Sequence, residues 1–340
     1  MLVSKAFVRY IWVVLISIFL LIVVGSVVRT TQSGMGCPDW PTCFGNIIPP
    51  TDSINVFFQP NHSYKKGQFI IHNDSLKYAI HSFKSNTAFN DENWKQYEKH
   101  NYAQFSVIHT WIEYINRLLG ALLGLLILVQ VVWSLFYFKK ASSIFWLSML
   151  LVLITAFQGW LGKTVVDSNL ALLKITAHMF GALAMVFVSQ YLLFIAKGKQ
   201  RVTTHKSTVL LNLILGILVI IQLVFGTQVR GEIDNINEHF SYINRSGWLA
   251  LLDTWFYIHR SFSLFIATIA IYLTINTAAL PELNKLVKRV VIVVILEIIA
   301  GGVFVFFDFP SFIQPIHLLL SSIMIALIFD NALKLKAENK

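Results

Sequence analysis

Eight stretches of this chain are apolar for about 20 residues or more, enough to cross about 30 Å of hydrocarbon at 1.5 Å per helical residue. They run over 8–28, 106–138, 144–164, 171–196, 207–227, 249–279, 287–307 and 312–333, and are numbered helix 1 to helix 8. In lipid every backbone N–H and C=O must be satisfied within the segment, so each stretch is expected to be helical. The fold class that follows is an all-α integral membrane protein. Composition agrees: of 340 residues 56% are hydrophobic and only 13% charged, where a soluble domain carries about 25%. A soluble enzyme and a disordered chain are both excluded. With 2 cysteines an all-thiolate metal cluster is excluded too. Helix 1 is too long, and lacks the small-residue cleavage site, for a removed signal peptide, so it is expected to remain as an anchor.

The net charge of +10 needs no nucleic acid once its distribution is read. One set of connections holds Lys5, Arg9, Lys139, Lys140, Lys197, Lys199, Arg201, Lys206, Lys285, Lys288, Arg289, Lys334, Lys336 and Lys340. The opposite short connections hold Lys163, Lys174, Arg230 and Arg245, with Asp167, Glu232, Asp234, Glu238 and Asp308 among them. Positive loops stay in the cytoplasm, so both termini are expected there, in a bacterial-type inner membrane. The long polar segment 29–104 is then exterior and should form a small cap. His62, His72, His81, His100, His205 and His239 read as solvated loop histidines.

The chain repeats itself. Helix 1 ends in Gly25-Ser26-Val27-Val28-Arg29 and helix 5 in Gly226-Thr227-Gln228-Val229-Arg230. Tyr114-Ile115-Asn116-Arg117 of helix 2 lies over Tyr257-Ile258-His259-Arg260 of helix 6, and Ile175-Thr176-Ala177-His178 over Gln314-Pro315-Ile316-His317. Three matches in one order imply two tandem pseudo-symmetric four-helix bundles, residues 1–200 and 201–340, in parallel orientation.

Ionisable residues within spans are expensive and mark function. His259 and His317 sit near the outer ends of helices 6 and 8, where two imidazoles facing across a bundle make a bis-histidine haem site. Zinc would ask for more donors, and no further carboxylate or thiol is read at that depth of the second half. In the first half His178 matches His317, but Asn116 stands where His259 predicts a histidine, leaving that pocket an open coordination position. His109, two turns before Asn116 on one face, either ligates the metal from higher in the bundle or caps the pocket. Glu113 has no counterpart in the second half; it is a candidate proton donor or acceptor, with an ion pair to Arg117 as the alternative. Arg29, Arg117, Arg230 and Arg260 recur pairwise and suit haem propionates, or else snorkel to the interface. Cys37 and Cys43, in Cys-Pro-Asp-Trp-Pro-Thr-Cys, should form a disulfide on an oxidising outer face, as a staple or as a redox pair.

At these residues the sequence resembles the haem A synthase family of cytochrome oxidase assembly. The resemblance lies in Gly25 to Gly34 followed by the Cys37–Cys43 motif, in Glu113-Tyr114-Ile115-Asn116-Arg117 against the family's Glu-x-x-His-Arg, and in Gln158-Gly159 with His178. It extends over all eight spans. It implies haem b held by His259 and His317, with Arg260 and Arg230 near it. It also implies haem O as substrate in the first half, whose C8 methyl is oxidised to a formyl group through hydroxylation to give haem A. The implied partners are the synthase supplying haem O, an electron donor such as quinol, and the oxidase assembly apparatus. Two departures stand out: the family's motif histidine is Asn116 here, and the loop 51–104 is longer than the family's first loop. Two other readings are a dihaem cytochrome b carrying electrons without oxygenation, and a transporter. A transporter's broken helices are not seen apart from Pro315.

Overall fold

The computed structural model describes residues 3–100, 102–240, 245 and 247–338, with the side chains of 238–240 left aside. Lys340 and the side chains of Glu238 and His239 therefore lie outside the described residues.

All eight expected helices are present and long and apolar enough to span a membrane. They are helix 1 (Lys5–Thr30), helix 2 (Val107–Ser134), helix 3 (Ser142–Asp167), helix 4 (Leu172–Ala196), helix 5 (Lys206–Phe240), helix 6 (Thr254–Asn276), helix 7 (Pro281–Phe306) and helix 8 (Ile313–Lys334). Large apolar side chains such as Ile16, Leu128, Leu153 and Ile275 are exposed along them, as the lipid-facing sides of spans should be. Three ends differ from the hydropathy bounds. Helix 5 continues to Phe240 through a polar tail, carried by the one-turn pair Arg230–Asp234 at 2.6 Å. Helix 6 starts only at Thr254, where Asp253 caps it by accepting from the Thr254 N–H at 2.7 Å. Helix 7 starts early, at Pro281, whose missing N–H costs nothing in a first turn.

The chain divides into two compact units. The larger holds 1–23, 125–155 and 179–340. In it helices 5, 6, 7 and 8 pack as a ring, 5 on 6, 6 on 7, 7 on 8 and 8 on 5. Leu215, Val219, Ile266, Ala270, Val290 and Ile325 lie in their common core. Polar ties cross the ring: Asn212 donates to the Ile328 carbonyl at 3.2 Å and Asn284 to that of Thr274 at 2.8 Å. Such bonds are worth about 0.6 kcal/mol each in a membrane, so they select register more than they add stability.

The second unit holds 24–124 and 156–178. Its long loop between helices 1 and 2 is a small β structure rather than coil. Strands β2 (Phe69–His72) and β3 (Ser75–Ala79) form a hairpin, and β5 (Trp94–Gln96) joins the β3 edge. Strands β1 (Ser63–Tyr64) and β4 (Phe83–Lys84) pair separately. The hairpin turn is Asn73-Asp74, both at positive φ (49° and 53°), the conformation that a two-residue connection between twisted strands selects. Alternation along β2 sends Ile70 into a cluster with Tyr64, Ala79 and Trp94, and Phe69 and Ile71 into another with Cys37, Cys43 and Phe44. The cap and the cysteine loop thus share a core. His100, expected to be solvated, is buried, with Nε2 3.1 Å from the Pro38 carbonyl oxygen. His72 stacks on Phe89 at 3.8 Å, and His239 falls within helix 5, not in a loop.

Candidate functional site

The second-half site lies inside the ring of helices 5 to 8. His259 and His317 face each other with ring centroids 6.3 Å apart and planes at 72°. Metal–imidazole bonds of about 2.0–2.1 Å, with the ring radius behind each, put two trans imidazole centroids about 6.4 Å apart. The spacing fits one metal ion between them. Among the described residues no group of three or more His, Cys, Asp and Glu is placed to hold a metal. A pair is what a porphyrin asks for, because the macrocycle brings four nitrogens of its own. His259 Nδ1 is buried without a hydrogen-bond partner, a cost that a bound group would relieve. Gly226 of helix 5 lies against this ring: a Cβ there would come within 3.2 Å of His259 Cε1. Gln222, one turn earlier, donates to the His259 carbonyl at 2.9 Å.

His317 is not alone. Its Nδ1 lies against Oε2 of Glu297 on helix 7, and the Ser321 hydroxyl is 2.7 Å from Oε1. This overturns the expectation that the second half offers no further carboxylate at that depth. Glu297 was hidden because it sits in the apolar run Val293-Val294-Ile295-Leu296-Glu297-Ile298-Ile299, outside every repeated motif; a lone carboxylate inside a span was the available signal. Arg230 donates to Oε1 of Gln314 and pairs with Asp234, so it ties helix 5 to helix 8 one turn from His317. Arg260 is exposed and lies over the rings of Phe256 and Tyr257 at 5.8 and 5.3 Å, the snorkelling arrangement.

The first half repeats the glycine contact. A Cβ on Gly25 of helix 1 would meet Asn116 Oδ1 at 4.0 Å, as one on Gly226 would meet His259. Asn116 and His259 thus each lie beside a glycine of the helix that precedes them in the sequence motif. Its Oδ1 is buried without a hydrogen-bond partner. His178 is half-buried on helix 4 beside Gly162, where a Cβ would reach its Cε1 at 3.6 Å. His109 lies in the first turn of helix 2, and its carbonyl meets Gly36 so closely that no Cβ fits there. Arg29 is in the last turn of helix 1.

Glu113 and Arg117 are committed to each other and to the cysteine loop. Arg117 Nη2 pairs with Glu113 Oε1 and donates to the Cys37 carbonyl at 2.8 Å, while Nη1 donates to those of Asp39 and Thr42 at 2.7 and 2.9 Å. The Cys37 N–H donates to Glu113 Oε2 at 2.7 Å. The ion pair that was one reading of Glu113 is present. Neither Glu113 oxygen is left over, and the Arg117 guanidinium is spent on the loop rather than held out to a carboxylate ligand. Cys37 and Cys43 form the expected disulfide. Asp39 organises the interior of the loop, accepting from the Phe44 and Gly45 N–H groups and the Thr42 hydroxyl. The sequence signal for this role is the aspartate itself, which in so tight a turn usually accepts from the backbone ahead of it.

Most of the chain, residues 8–84 and 82–329, matches the model of the family described as cytochrome oxidase assembly protein. The chain belongs to this family. Relatives named "Heme A synthase" align along nearly all of it: that of Flavobacterium psychrophilum is 22% identical over 341 residues, covering 91% of this chain and 92% of the relative. That of Rickettsia africae is 22% identical over 335 residues, covering 90% and 91%. The Shewanella oneidensis protein is 26% identical over 197 residues, covering 58% of this chain and 47% of its own. In this cytochrome oxidase assembly protein the facing histidine pair, His259 and His317, lies in the C-terminal half of the chain, and Asn116 lies on helix 2.

Proposed function

We propose that this protein is a haem A synthase, oxidising the C8 methyl of haem O to a formyl group through hydroxylation. The observation that supports the reading is the facing pair His259 and His317 in one half, where the motif-matched residues of the other half are Asn116 and His178. One half then holds a fixed cofactor, haem b, and the other a replaceable substrate, haem O. Bound haem supplies the one-electron and oxygen chemistry.

The chain's own residues bind, orient and exclude water. His259 and His317 fix the cofactor from helices 6 and 8, and Arg230 keeps helix 5 in register with helix 8 beside them. In the first half His178 would hold the substrate haem from helix 4. Asn116, whose amide is a weak donor, would leave the substrate iron a position open to the oxygen chemistry it supplies when bound. The isoprenoid tail of haem O favours lateral entry from lipid into an apolar groove. Arg29, at the outer end of helix 1, is placed to receive a propionate. His109 caps the pocket from the first turn of helix 2. Glu113 and Arg117 act through the disulfide loop they hold above this helix. The charge pattern puts both termini in the cytoplasm and the cap and both haem sites toward the exterior of the inner membrane. The haem O-forming enzyme, a reductant such as quinol, and the oxidase assembly apparatus are the partners this chemistry requires.

Co-expression with a haem O supply tests the reading, with haems O and A quantified in membranes. Haem A is expected with the unaltered chain, and a loss of yield with His178→Ala; equal yields would place the chemistry elsewhere. A second expected result concerns coordination. Asn116→His should convert the substrate haem to a six-coordinate, low-spin form that no longer binds carbon monoxide when reduced. A CO-reactive spectrum unchanged from the parent would remove the open position from the account.

A further inference from the structure

We propose that Glu297 is the positioning residue of the haem b site, fixing His317 as a strong ligand and holding that centre at a lower reduction potential. The inference rests on the assignment of His259 and His317 as haem b ligands and adds a residue to it.

Glu297 is buried, 8% exposed, in the middle of helix 7. A carboxylate there is costly unless it is paired, and both of its oxygens face helix 8. Oε2 lies against His317 Nδ1, and Oε1 is 2.7 Å from the hydroxyl of Ser321, which is also 3.0 Å from the His317 carbonyl oxygen. His317 and Ser321 are one turn apart and so share a helix face. The contact at Nδ1 leaves Nε2 as the nitrogen free for a metal. A carboxylate accepting the other N–H of a ligating histidine sets the tautomer, locks the ring plane and raises ligand basicity. A more basic ligand stabilises the oxidised iron, and the potential falls.

Counting back 139 residues, the offset from His317 to His178, Glu297 falls on Gln158 and Gly301 on Gly162. A neutral amide stands where the second half has a carboxylate. At the positions that this offset matches, the residue types therefore differ in charge, Glu297 in one half and Gln158 in the other.

The test is potentiometric titration of the purified full-length protein, following haem b absorbance. Glu297→Gln keeps shape and an acceptor oxygen while removing charge. It is expected to retain haem b and to raise the midpoint by about 59 mV, a tenfold shift of a one-electron couple. Glu297→Ala is expected to weaken haem b retention by about 10–100-fold, the usual cost of a lost outer-shell partner. Ser321→Ala frees the carboxylate to pull harder on Nδ1–H, so its midpoint should fall, and it serves as the reporter if Glu297→Gln binds no haem. A purely packing role for Glu297 would alter stability or haem content and leave both midpoints where they were. Unchanged midpoints in a haem-loaded Glu297→Gln protein, or in Ser321→Ala where Glu297→Gln is empty, would overturn the proposal. Retention of haem b in both His259→Ala and His317→Ala would instead overturn the ligand assignment beneath it.

Discussion

His317→Ala is expected to abolish the low-spin haem b spectrum, and His259→Ala to do the same. Each substitution removes half of the two-nitrogen donor set that spans the 6.3 Å between ring centroids. Losing an outer-shell partner already costs about 10–100-fold in metal affinity, and losing a ligand should exceed that. His317→Ala has a second penalty: Glu297 Oε2 is left buried with no imidazole against it. The expected order is therefore His317→Ala below His259→Ala in folded yield, with neither holding haem b. Difference spectra and haem content of the purified variants read both. If haem b persisted at parental level in both, the cofactor would have to be held elsewhere.

The second large effect is expected at Arg117. Its side chain is 15% exposed and that of Glu113 5%, so the pair belongs to the buried class. Removing one member there costs about 3–5 kcal/mol, because the other charge stays behind unpaired. Arg117→Ala also strips donors from the carbonyls of Cys37, Asp39 and Thr42. The cysteine loop should come loose from helix 2, making the Cys37–Cys43 bond more rapidly reducible by an added thiol and lowering the thermal midpoint in detergent. Combining Arg117→Ala with Glu113→Gln should recover part of the stability, since no charge is then stranded. The reduction rate should stay high, because the loop carbonyls are still without donors. A reduction rate unaffected by Arg117→Ala would show that the disulfide loop is held by its other contacts.

What could be read in advance follows from the solvent. Lipid forces long apolar runs into helices, so all eight were visible as hydropathy. The polar turns at the start of helix 7 and the end of helix 5 were not, because helical hydrogen bonding continues where apolarity stops. The repeat singled out Asn116, His178, His259 and His317 because they close matching motifs of the two halves. Glu297 and the Asp39 turn escaped that reasoning, each occurring in one half alone. The cap strands escaped it for another reason: β3 pairs with β5 across a long excursion, and short polar strands carry little periodicity. The Asn73-Asp74 turn between Phe69-Ile70-Ile71-His72 and Ser75-Leu76-Lys77-Tyr78 was the one local signal of a hairpin there.

The central claim is that one half holds a fixed haem b while the other processes a different haem. Extraction and chromatography of the haems bound to the protein, purified from cells that make haem O, tests it most directly. The account predicts haem b together with haem O or haem A. Haem b alone, filling both halves, would contradict it and leave an electron-carrying cytochrome b as the better description.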